Sequence, residues 1–402
     1  MKTLFQINIT ANCGSHGRIA ENIGKLAISR GWESYIAYGR TAQPSQSHLI
    51  KVGNMYDEYL HGIQSRIFDN HGLASKNVTK KLIKTIRDIN PDIIHLHNIH
   101  GYYLNYPILF DFLASSGKPV VWTLHDCWPL TGHCAHFDSI GCQRWKTECH
   151  HCPNLSSYPA SFLFDKSQRN YKNKKHYFGL PSNMTIVTVS KWLRDITKES
   201  FLQDHPIVVI HNGIDLHAFK PNNQTSNTDG KFHLLGVATS WNKEKGLDEF
   251  IELSQNHNYK ITLVGIPNSM SKKLPREIKC VGHTANIQEL ADYYSNADVF
   301  VNPTYNDSYP TVNLEAQACG TPVITYATGG SPETIDHRTG IIVERGNINA
   351  LIEAIESIRL MPASERETLS ASCSQRAQNL FDQQLCYTHY LELYENILEN
   401  LY

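Results

Sequence analysis

The amino-acid sequence predicts an α/β protein in which two doubly wound, Rossmann-like domains face a central cleft. Three observations point to this fold class. The chain has 402 residues, enough for about two domains of ordinary size. Its 41% hydrophobic and 19% charged residues are typical of globular proteins. Both halves alternate short β-rich runs with amphipathic helical stretches, which is the pattern of βαβ units around a parallel sheet.

The first half opens with the β-rich run "LFQINI" (4–9) and a Gly-containing turn, "NCGSHG". The next stretch, "RIAENIGKLAIS", repeats apolar residues at helical spacing. The runs "SYIAY", "DIIHLH" and "PVVWTL" predict further strands. Before the second of them, "VTKKLIKTIRDIN" places four apolar residues on one helix face and ends before Pro91.

The second half repeats this order. "FHLLGVA", "KITLVG", "ADVFVNP", "PVITY" and "GIIV" predict strands, with helices expected at 247–255, 286–295 and 310–318. In two such sheets the carboxyl ends of the strands form the ligand-binding edge, so the cleft is expected there.

Domain boundaries follow from these patterns. We predict a first domain at 1–195 with a Cys-rich insertion, a hinge at 190–206, and a second domain at 206–380. An amphipathic helix within 383–402 ends the chain, and we expect it to cross back to the first domain.

Net charge is −1, which argues against a nucleic-acid partner. Residues 1–200 carry 23 Lys and Arg against 14 Asp and Glu, whereas 201–402 carry 14 against 24. This split indicates either a division of labour or two solvated surfaces that differ by chance. The absence of an apolar run of ~18 residues, and a start that resembles a strand rather than a signal peptide, predict a cytoplasmic protein.

The stretch "NDSYPTVNLEAQACGTPVI" (306–324) carries the clearest chemistry. Pro310 suits the first turn of a helix, and Ser308 lies where a cap belongs. The free N–H groups of such a helix start bind phosphate. Asp307 before the helix and Glu315 within it would then hold hydroxyls on both sides of a diphosphate. The alternative is a capping acid and a solvated helix residue.

This stretch resembles the E-x7-E region of family 4 retaining glycosyltransferases, with Asp307 in place of the first glutamate. "IVTVSKW" (186–192), "HNGID" (211–215), "KEKGLDEF" (243–250), "GGSPETI" (329–335) and "TGIIV" (339–343) match the family in order. "VWTLHDCWPLTGHC" and the cysteines after it resemble the colanic-acid and O-antigen subgroup. The resemblance implies the GT-B architecture, with the acceptor bound by the first domain and the nucleotide sugar by the second.

The resemblance also implies roles for individual residues. Glu315 would hold the nucleotide ribose, Asp307 the donor-sugar hydroxyls, and Lys245 the diphosphate charge. His125 of "TLHD" would face the donor sugar, although a histidine at a strand end is more often structural. Further donor contacts fall on two loop glycines, on a loop serine, and on the backbone before and within the expected helix start: Gly14, Gly17, Ser240, Tyr309, Pro310, Thr311 and Val312.

One departure from the family concerns the diphosphate. Ser240 stands where the family usually has an arginine, so binding of the diphosphate leans more on Lys245. The chain contains no D-x-D motif, and we expect no metal ion or other cofactor in catalysis. The family's stereochemical outcome is retention.

Four cysteines at 134–152 form the densest group, spaced x7, x6 and x2: Cys134, Cys142, Cys149 and Cys152. In a cytosolic protein this pattern favours a structural zinc ion, with reduced buried thiols as the alternative. His133, His136, His150 and His151 are spare ligands.

The segment "SFLFDKSQRNYKNKKHYFG" (161–179) mixes cationic and aromatic residues. This composition suits an anionic membrane surface or a lipid-diphosphate acceptor, and equally a solvated helix face.

The main hypothesis is a retaining glycosyltransferase that moves a sugar from a nucleotide sugar to a lipid-linked or saccharide acceptor in bacterial surface polysaccharide biosynthesis. A sugar-nucleotide epimerase of the same fold is the second. A non-catalytic, metal-stabilised interaction scaffold is the third.

Overall fold

The computed structural model describes residues 1–222 and 230–400. The chain divides into two compact units. The first consists of Met1–His211 together with the end of the chain from Tyr387, and the second is Asn212–Cys386. The segment 190–206, expected to be a hinge, lies inside the first unit.

The first unit contains a seven-stranded sheet in which all the neighbouring strands are parallel. Its strands are β1 (Thr3–Asn8), β2 (Glu33–Tyr38), β3 (His48–Lys51), β4 (Ile93–Leu96), β5 (Val120–Leu124), β6 (Met184–Thr188) and β7 (Ile207–Val209). The spatial order is β3-β2-β1-β4-β5-β6-β7, so the direction of winding reverses between β1 and β4. β1, β4 and β5 are wholly or almost wholly buried, as expected for strands covered by helices on both faces.

The helices of this unit are α1 (Gly14–Ser29), α2 (Met55–Phe68), α3 (Lys76–Ile89), α4 (Tyr106–Ser116), α5 (Ser167–Phe178) and α6 (Lys191–Lys198). α3 follows the predicted pattern, with its apolar face buried and an end at Asn90 in the left-handed conformation. α6 covers 8 of the 17 residues of the expected hinge. It leads to β7, which extends the sheet.

The second unit contains a six-stranded parallel sheet in the order β10-β9-β8-β11-β12-β13. Its strands are β8 (Phe232–Val237), β9 (Tyr259–Val264), β10 (Ile278–Val281), β11 (Val299–Asn302), β12 (Val323–Tyr326) and β13 (Gly340–Val343). Here the winding reverses between β8 and β11. Its helices are α7 (Leu247–Leu253), α8 (Asn268–Ser271), α9 (Ile287–Ser295), α10 (Thr311–Ala318), α11 (Ile348–Arg359) and α12 (Ala363–Leu380).

The last helix, α13 (Gln383–Glu399), begins at the end of the second unit and continues into the first. Its hydroxyls reach the buried strands of the first sheet. The Tyr394 hydroxyl lies 2.6 Å from His95 Nδ1, and the Thr123 hydroxyl donates to the Tyr390 hydroxyl at 3.2 Å.

Candidate functional site

Three histidines lie at the carboxyl edge of the first sheet, next to the point where the winding reverses. His16 follows β1, His97 follows β4 and His125 follows β5. The rings of His97 and His125 stack with centroids 5.4 Å apart, and His16 lies 6.0 Å from His125. Such a reversal point opens the crevice in which doubly wound sheets bind ligands.

A hydrogen-bond chain fixes which nitrogen of His125 carries the proton. Gln6 Nε2 donates to the Ala20 carbonyl at 2.8 Å, so Gln6 Oε1 must accept from His97 Nε2 at 3.0 Å. Burial lowers the pKa of His97 well below 6.5, so this ring is neutral and its Nδ1 is an acceptor. His125 Nε2 therefore donates to it at 3.1 Å, and His125 Nδ1 keeps its lone pair.

His16 and His125 are also neutral. Burial, together with His100, lowers the pKa of His16 to about 4 although Asp126 opposes the shift. Burial, followed by His97 and His16, holds the pKa of His125 well below its usual range. The edge therefore presents uncharged imidazoles at neutral pH.

The two glycines that were expected in the first loop lie instead in the first turn of α1, and both have structural reasons to be glycine. Gly14 begins α1 with a φ of +67°, which side chains rarely adopt. A Cβ atom at Gly17 would lie 2.6 Å from Thr10 Oγ1. Their expected contact with the donor stays a prediction.

The second unit places Lys245 and Asp307 together at the carboxyl edge of its sheet. Lys245 ends a 3₁₀ turn after β8, and Asp307 lies in the loop after β11. Their Nζ and Oδ2 atoms are 3.0 Å apart, and both side chains are partly exposed. Lys245 Nζ also lies 3.4 Å from Thr304 Oγ1 and from the Asn306 carbonyl. The cation is thus fixed at the reversal point between β8 and β11.

The loop that carries Asp307 is packed tightly against a second loop. The Gly330 N–H donates to the Asp307 carbonyl at 3.1 Å. A Cβ atom at Gly329 would lie 1.9 Å from the same carbonyl oxygen, so only glycine fits there. The "GGSP" motif therefore holds the Asp307 loop in place.

The helix start differs in detail from the expectation. Pro310 is the N-cap residue and α10 begins at Thr311. Ser308 is not the cap, and that prediction is wrong. Its hydroxyl is buried without a hydrogen-bond partner among the described residues, whereas Asp307 Oδ1 accepts from the Tyr309 N–H at 3.3 Å.

The expected donor contacts differ in exposure. Tyr309 and Pro310 are buried, Thr311 and Val312 are half-buried, and Ser240 is exposed in the loop after β8. Thr311 and Val312 are therefore the more accessible residues of the helix start.

Glu315 is half-buried on α10 and has a fixed orientation. Its Oε2 accepts from the Tyr294 hydroxyl at 2.9 Å, and Tyr294 on α9 is fully buried. Burial, followed by the charge of Glu315, raises the pKa of Tyr294 well above 10. The alternative of a freely solvated glutamate does not describe this side chain.

Comparison with known proteins decides the family. Residues 16–218 match the model described as "Glycosyltransferase Family 4", and residues 232–359 match "Glycosyl transferases group 1". The chain belongs to Glycosyltransferase Family 4.

The glycosyltransferase has a full-length relative in Escherichia coli (strain K12). WcaC, whose name assigns it to glycosyl transfer in colanic acid biosynthesis, is 26% identical over 98% of this chain and 100% of its own. Among solved structures, sucrose-phosphate synthase from Thermosynechococcus elongatus matches with a TM-score of 0.74 at 18% identity, covering 100% of both chains. Anabaena Alr3699/HepE in complex with UDP-glucose matches with a TM-score of 0.65 at 16% identity, covering 98% of this chain and 100% of its own. The predicted GT-B fold is confirmed.

In the Cys-rich segment of this glycosyltransferase, Cys134 is buried, and Cys142, Cys149 and Cys152 are half-buried. The four cysteines line one cavity together with His133. His133 Nδ1 lies 2.7 Å from Asp69 Oδ1, and its Nε2 is buried without a hydrogen-bond partner among the described residues. However, no three His, Cys, Asp or Glu side chains within residues 1–222 and 230–400 are placed to hold a metal ion. Zinc binding stays a prediction.

The basic and aromatic segment 161–179 does not form one surface. Tyr171, Lys174 and Phe178 are buried on the inner face of α5, and the Lys174 ammonium lies 3.5 Å from the Trp128 ring centroid. Sequence composition could not separate inner from outer residues here. No helix in the described ranges has the length and apolarity needed to cross a membrane.

Sequence reasoning missed several partners of the expected site residues. His97, Gln6 and Tyr294 were not singled out. His97 bonds to His125 and Tyr294 bonds to Glu315, whereas Gln6 acts on His125 through His97. The run "DIIHLHNIHG" was the available signal for His97, because it places histidines at the end of a buried strand.

Proposed function

We propose that the chain is a retaining glycosyltransferase that moves a sugar from a nucleotide sugar to a lipid-linked or saccharide acceptor in bacterial surface polysaccharide biosynthesis. The observation that carries this proposal is the edge of the second sheet, where a fixed cation, Lys245, stands beside Asp307 and close to the start of α10. The names of WcaC and of the HepE complex with UDP-glucose support the class of pathway and of donor.

Donor binding would change the partner of Lys245. In the free protein the ammonium group is paired with Asp307 at 3.0 Å. A diphosphate carries more negative charge than one carboxylate and would attract Lys245 Nζ, together with the first N–H groups of α10. Asp307 would then accept hydrogen bonds from the sugar hydroxyls, and Glu315, held by Tyr294, would accept from the ribose hydroxyls.

In the proposed reaction the bond between the anomeric carbon and the diphosphate oxygen breaks, and the nucleoside diphosphate leaves with the electron pair. The acceptor oxygen bonds to the same face of the sugar, and its proton passes to a phosphate oxygen of the donor. Lys245 and the backbone N–H groups stabilise the charge that develops on the leaving group. We assign His125 to a sugar hydroxyl, because the hydroxyl can donate a hydrogen bond to the Nδ1 lone pair.

The test is Glu315→Gln, measured with a nucleotide sugar at saturation. We expect turnover to fall at least roughly tenfold, which corresponds to ~1.4 kcal/mol of barrier, while the fold survives. Glu353→Gln, an exposed residue of α11, is the matched control. An unchanged rate would remove Glu315 from the site.

The donor and the rival hypotheses can be tested on the same sample. Thermal stabilisation by UDP-, GDP- and other activated sugars identifies the nucleotide, since a ligand at ~100 times its dissociation constant adds ~2.7 kcal/mol. Turnover without any acceptor would favour the epimerase. If the protein binds none of the nucleotide sugars, the non-catalytic scaffold would be favoured.

We also propose a structural zinc ion in the Cys-rich segment. Thiolates and a neutral imidazole are zinc ligands, and a carboxylate on the second ring nitrogen is the usual way to orient such a histidine. Asp69 holds His133 in this manner, so His133 Nε2 would replace one of the four cysteines as a ligand. The side chains would have to turn toward one point. Metal analysis should find about one zinc per chain, and less than a few tenths would contradict the proposal.

A further inference from the structure

The outward face of α2 is apolar. Its inner face buries His61, Gly62 and Ser65. At ~100° per residue, the opposite side carries Ile63 and Ile67, both half-buried, and a set of large exposed residues. These are Tyr56, Tyr59 and Leu60, which are 74%, 69% and 58% exposed. Met55, the first residue of α2, is 73% exposed. A helix on a water-covered surface normally has the reverse pattern.

A second apolar segment continues this face. Phe162, Leu163 and Phe164 are consecutive loop residues that are 68%, 70% and 48% exposed. The loop is fixed to the end of α2, because the Phe162 N–H donates to the Arg66 carbonyl at 2.7 Å and the Phe164 ring stacks on Phe68 at 5.9 Å. We call the outward face of α2 and this loop the α2 patch.

Cations adjoin the α2 patch. Lys166 Nζ lies 5.6 Å from the Phe68 ring centroid and 5.7 Å from that of Phe164. Lys76 and Leu60 line the same cavity of about 390 Å³ between α2 and the start of α3. From there α3 exposes further cations: Lys80, Lys81, Lys84 and Arg87.

The acidic groups near the α2 patch are mostly engaged within the protein. Asp57 accepts from the Asn54 N–H at 3.0 Å, and Glu58 pairs with Lys51 at 2.9 Å. Asp165 accepts from the backbone N–H groups of Cys152 and Ser167. Asp88 is the exposed acid on α3. Apart from the Lys51–Glu58 pair, the six cations named above outnumber three carboxylates, so positive charge predominates around the apolar residues.

We propose that the α2 patch is the surface on which the protein docks to an anionic phospholipid bilayer. An apolar face with tyrosines, flanked by lysine and arginine, is the composition of a helix that lies in the membrane interface. Cations near an anionic surface are attracted to it, which complements the burial of the apolar side chains. The proposal uses no residue of the donor site, so it stands independently of the proposed reaction.

The test is flotation of the full-length protein with vesicles of phosphatidylglycerol and phosphatidylcholine at low salt. We expect binding to mixed vesicles and at least fivefold less binding to phosphatidylcholine alone. The double variant Tyr59→Ser/Leu60→Ser and the loop variant Phe162→Ser/Leu163→Ser should each lose at least fivefold of the bound fraction, with the melting temperature unchanged. Leu360→Ser, on a residue 69% exposed in the second unit, should bind as the parent does.

Three outcomes would overturn the proposal. One is no binding of the parent to anionic vesicles at low salt, and another is equal binding by the parent and both variants. The third is concentration-dependent self-association that the two variants abolish while vesicles stay unbound, which would assign the α2 patch to a second copy of the chain.

Discussion

The carboxyl edges of the two sheets have opposite chemistry, although both sheets reverse their winding at an equivalent point. The first edge presents His16, His97 and His125 as neutral rings, linked to one another or to buried amides. The second presents a lysine and a carboxylate that are paired and partly exposed. One edge exchanges hydrogen bonds with uncharged groups, and the other attracts charge.

This difference indicates how the two units divide their work. Neutral imidazoles can bind hydroxyls but cannot neutralise a diphosphate, whereas an exposed ammonium group can. The fold alone would allow a nucleotide at either edge. The charges support the proposal that the second edge binds the anionic part of the donor.

The largest expected effect comes from removing the cation of the second edge. Lys245→Met should lower turnover ~10²–10³-fold, because one fixed group that stabilises a leaving charge is typically worth ~3–4 kcal/mol of barrier. Steady-state kinetics with saturating donor measures this effect, and Lys273→Met, an exposed lysine of the same unit, is the control. If turnover fell less than threefold, the proposed difference in chemistry between the two edges would be contradicted.

Acid should destabilise the first unit more than the second. A histidine whose pKa is lowered by folding stabilises the protein fully above pH 6.5, and this contribution is lost as the pH falls toward the folded pKa. Each such histidine then costs ~1.4 kcal/mol per pH unit. In the first unit, burial lowers the pKa of His16 to about 4 and that of His61 to about 3. In the second unit the pKa of His233 is also lowered, mainly by burial.

Denaturant unfolding at pH 7.0 and 5.5 measures this prediction. Tryptophan fluorescence reports mostly on the first unit, which holds five of the six tryptophans. His61→Asn should remove its share of the pH dependence, and the exposed His257→Asn should not. Equal acid sensitivity in the two units would contradict the comparison.

The smallest effect is expected from the support of Glu315. Tyr294→Phe removes one hydrogen bond to the carboxylate, worth about 0.5–1.5 kcal/mol, so donor affinity should fall about two- to tenfold. Tyr293→Phe, its neighbour on α9, is the matched control. Titration calorimetry with the donor separates the two variants, and equal affinities would show that Glu315 needs no such support.

Most central strands could be predicted from the sequence because their residues are buried in continuous runs. Four strands were missed: β3, β6, β7 and β10. Of these, β3, β7 and β10 are edge strands that are mostly exposed or half-buried, so they lack an apolar run. The mostly buried run of β6 was used only for its resemblance to the family. The segment 190–206, predicted to be a hinge, lies inside the first unit because β7, which follows α6, adds an edge strand to the first sheet.

Candidate site residues could be named from the sequence where one short stretch carries them, as with Asp307 and Glu315. The pairing of Lys245 with Asp307 joins residues 62 positions apart, and the chain from Gln6 through His97 to His125 joins three strands. Such contacts depend on strand order, which a single sequence does not specify. Ser308 failed as a cap because α10 begins only at Thr311, which makes Pro310 the N-cap residue.

The fixed proton on His125 has a consequence for substrate choice. A ring nitrogen that has only a lone pair accepts a hydrogen bond from a donor such as an alcohol O–H or an amide N–H. It repels a carboxylate or an ether oxygen at the same spot. Sugars oxidised to an acid at that position would therefore be poor substrates, and selectivity would originate in an amide, Gln6, two hydrogen bonds away.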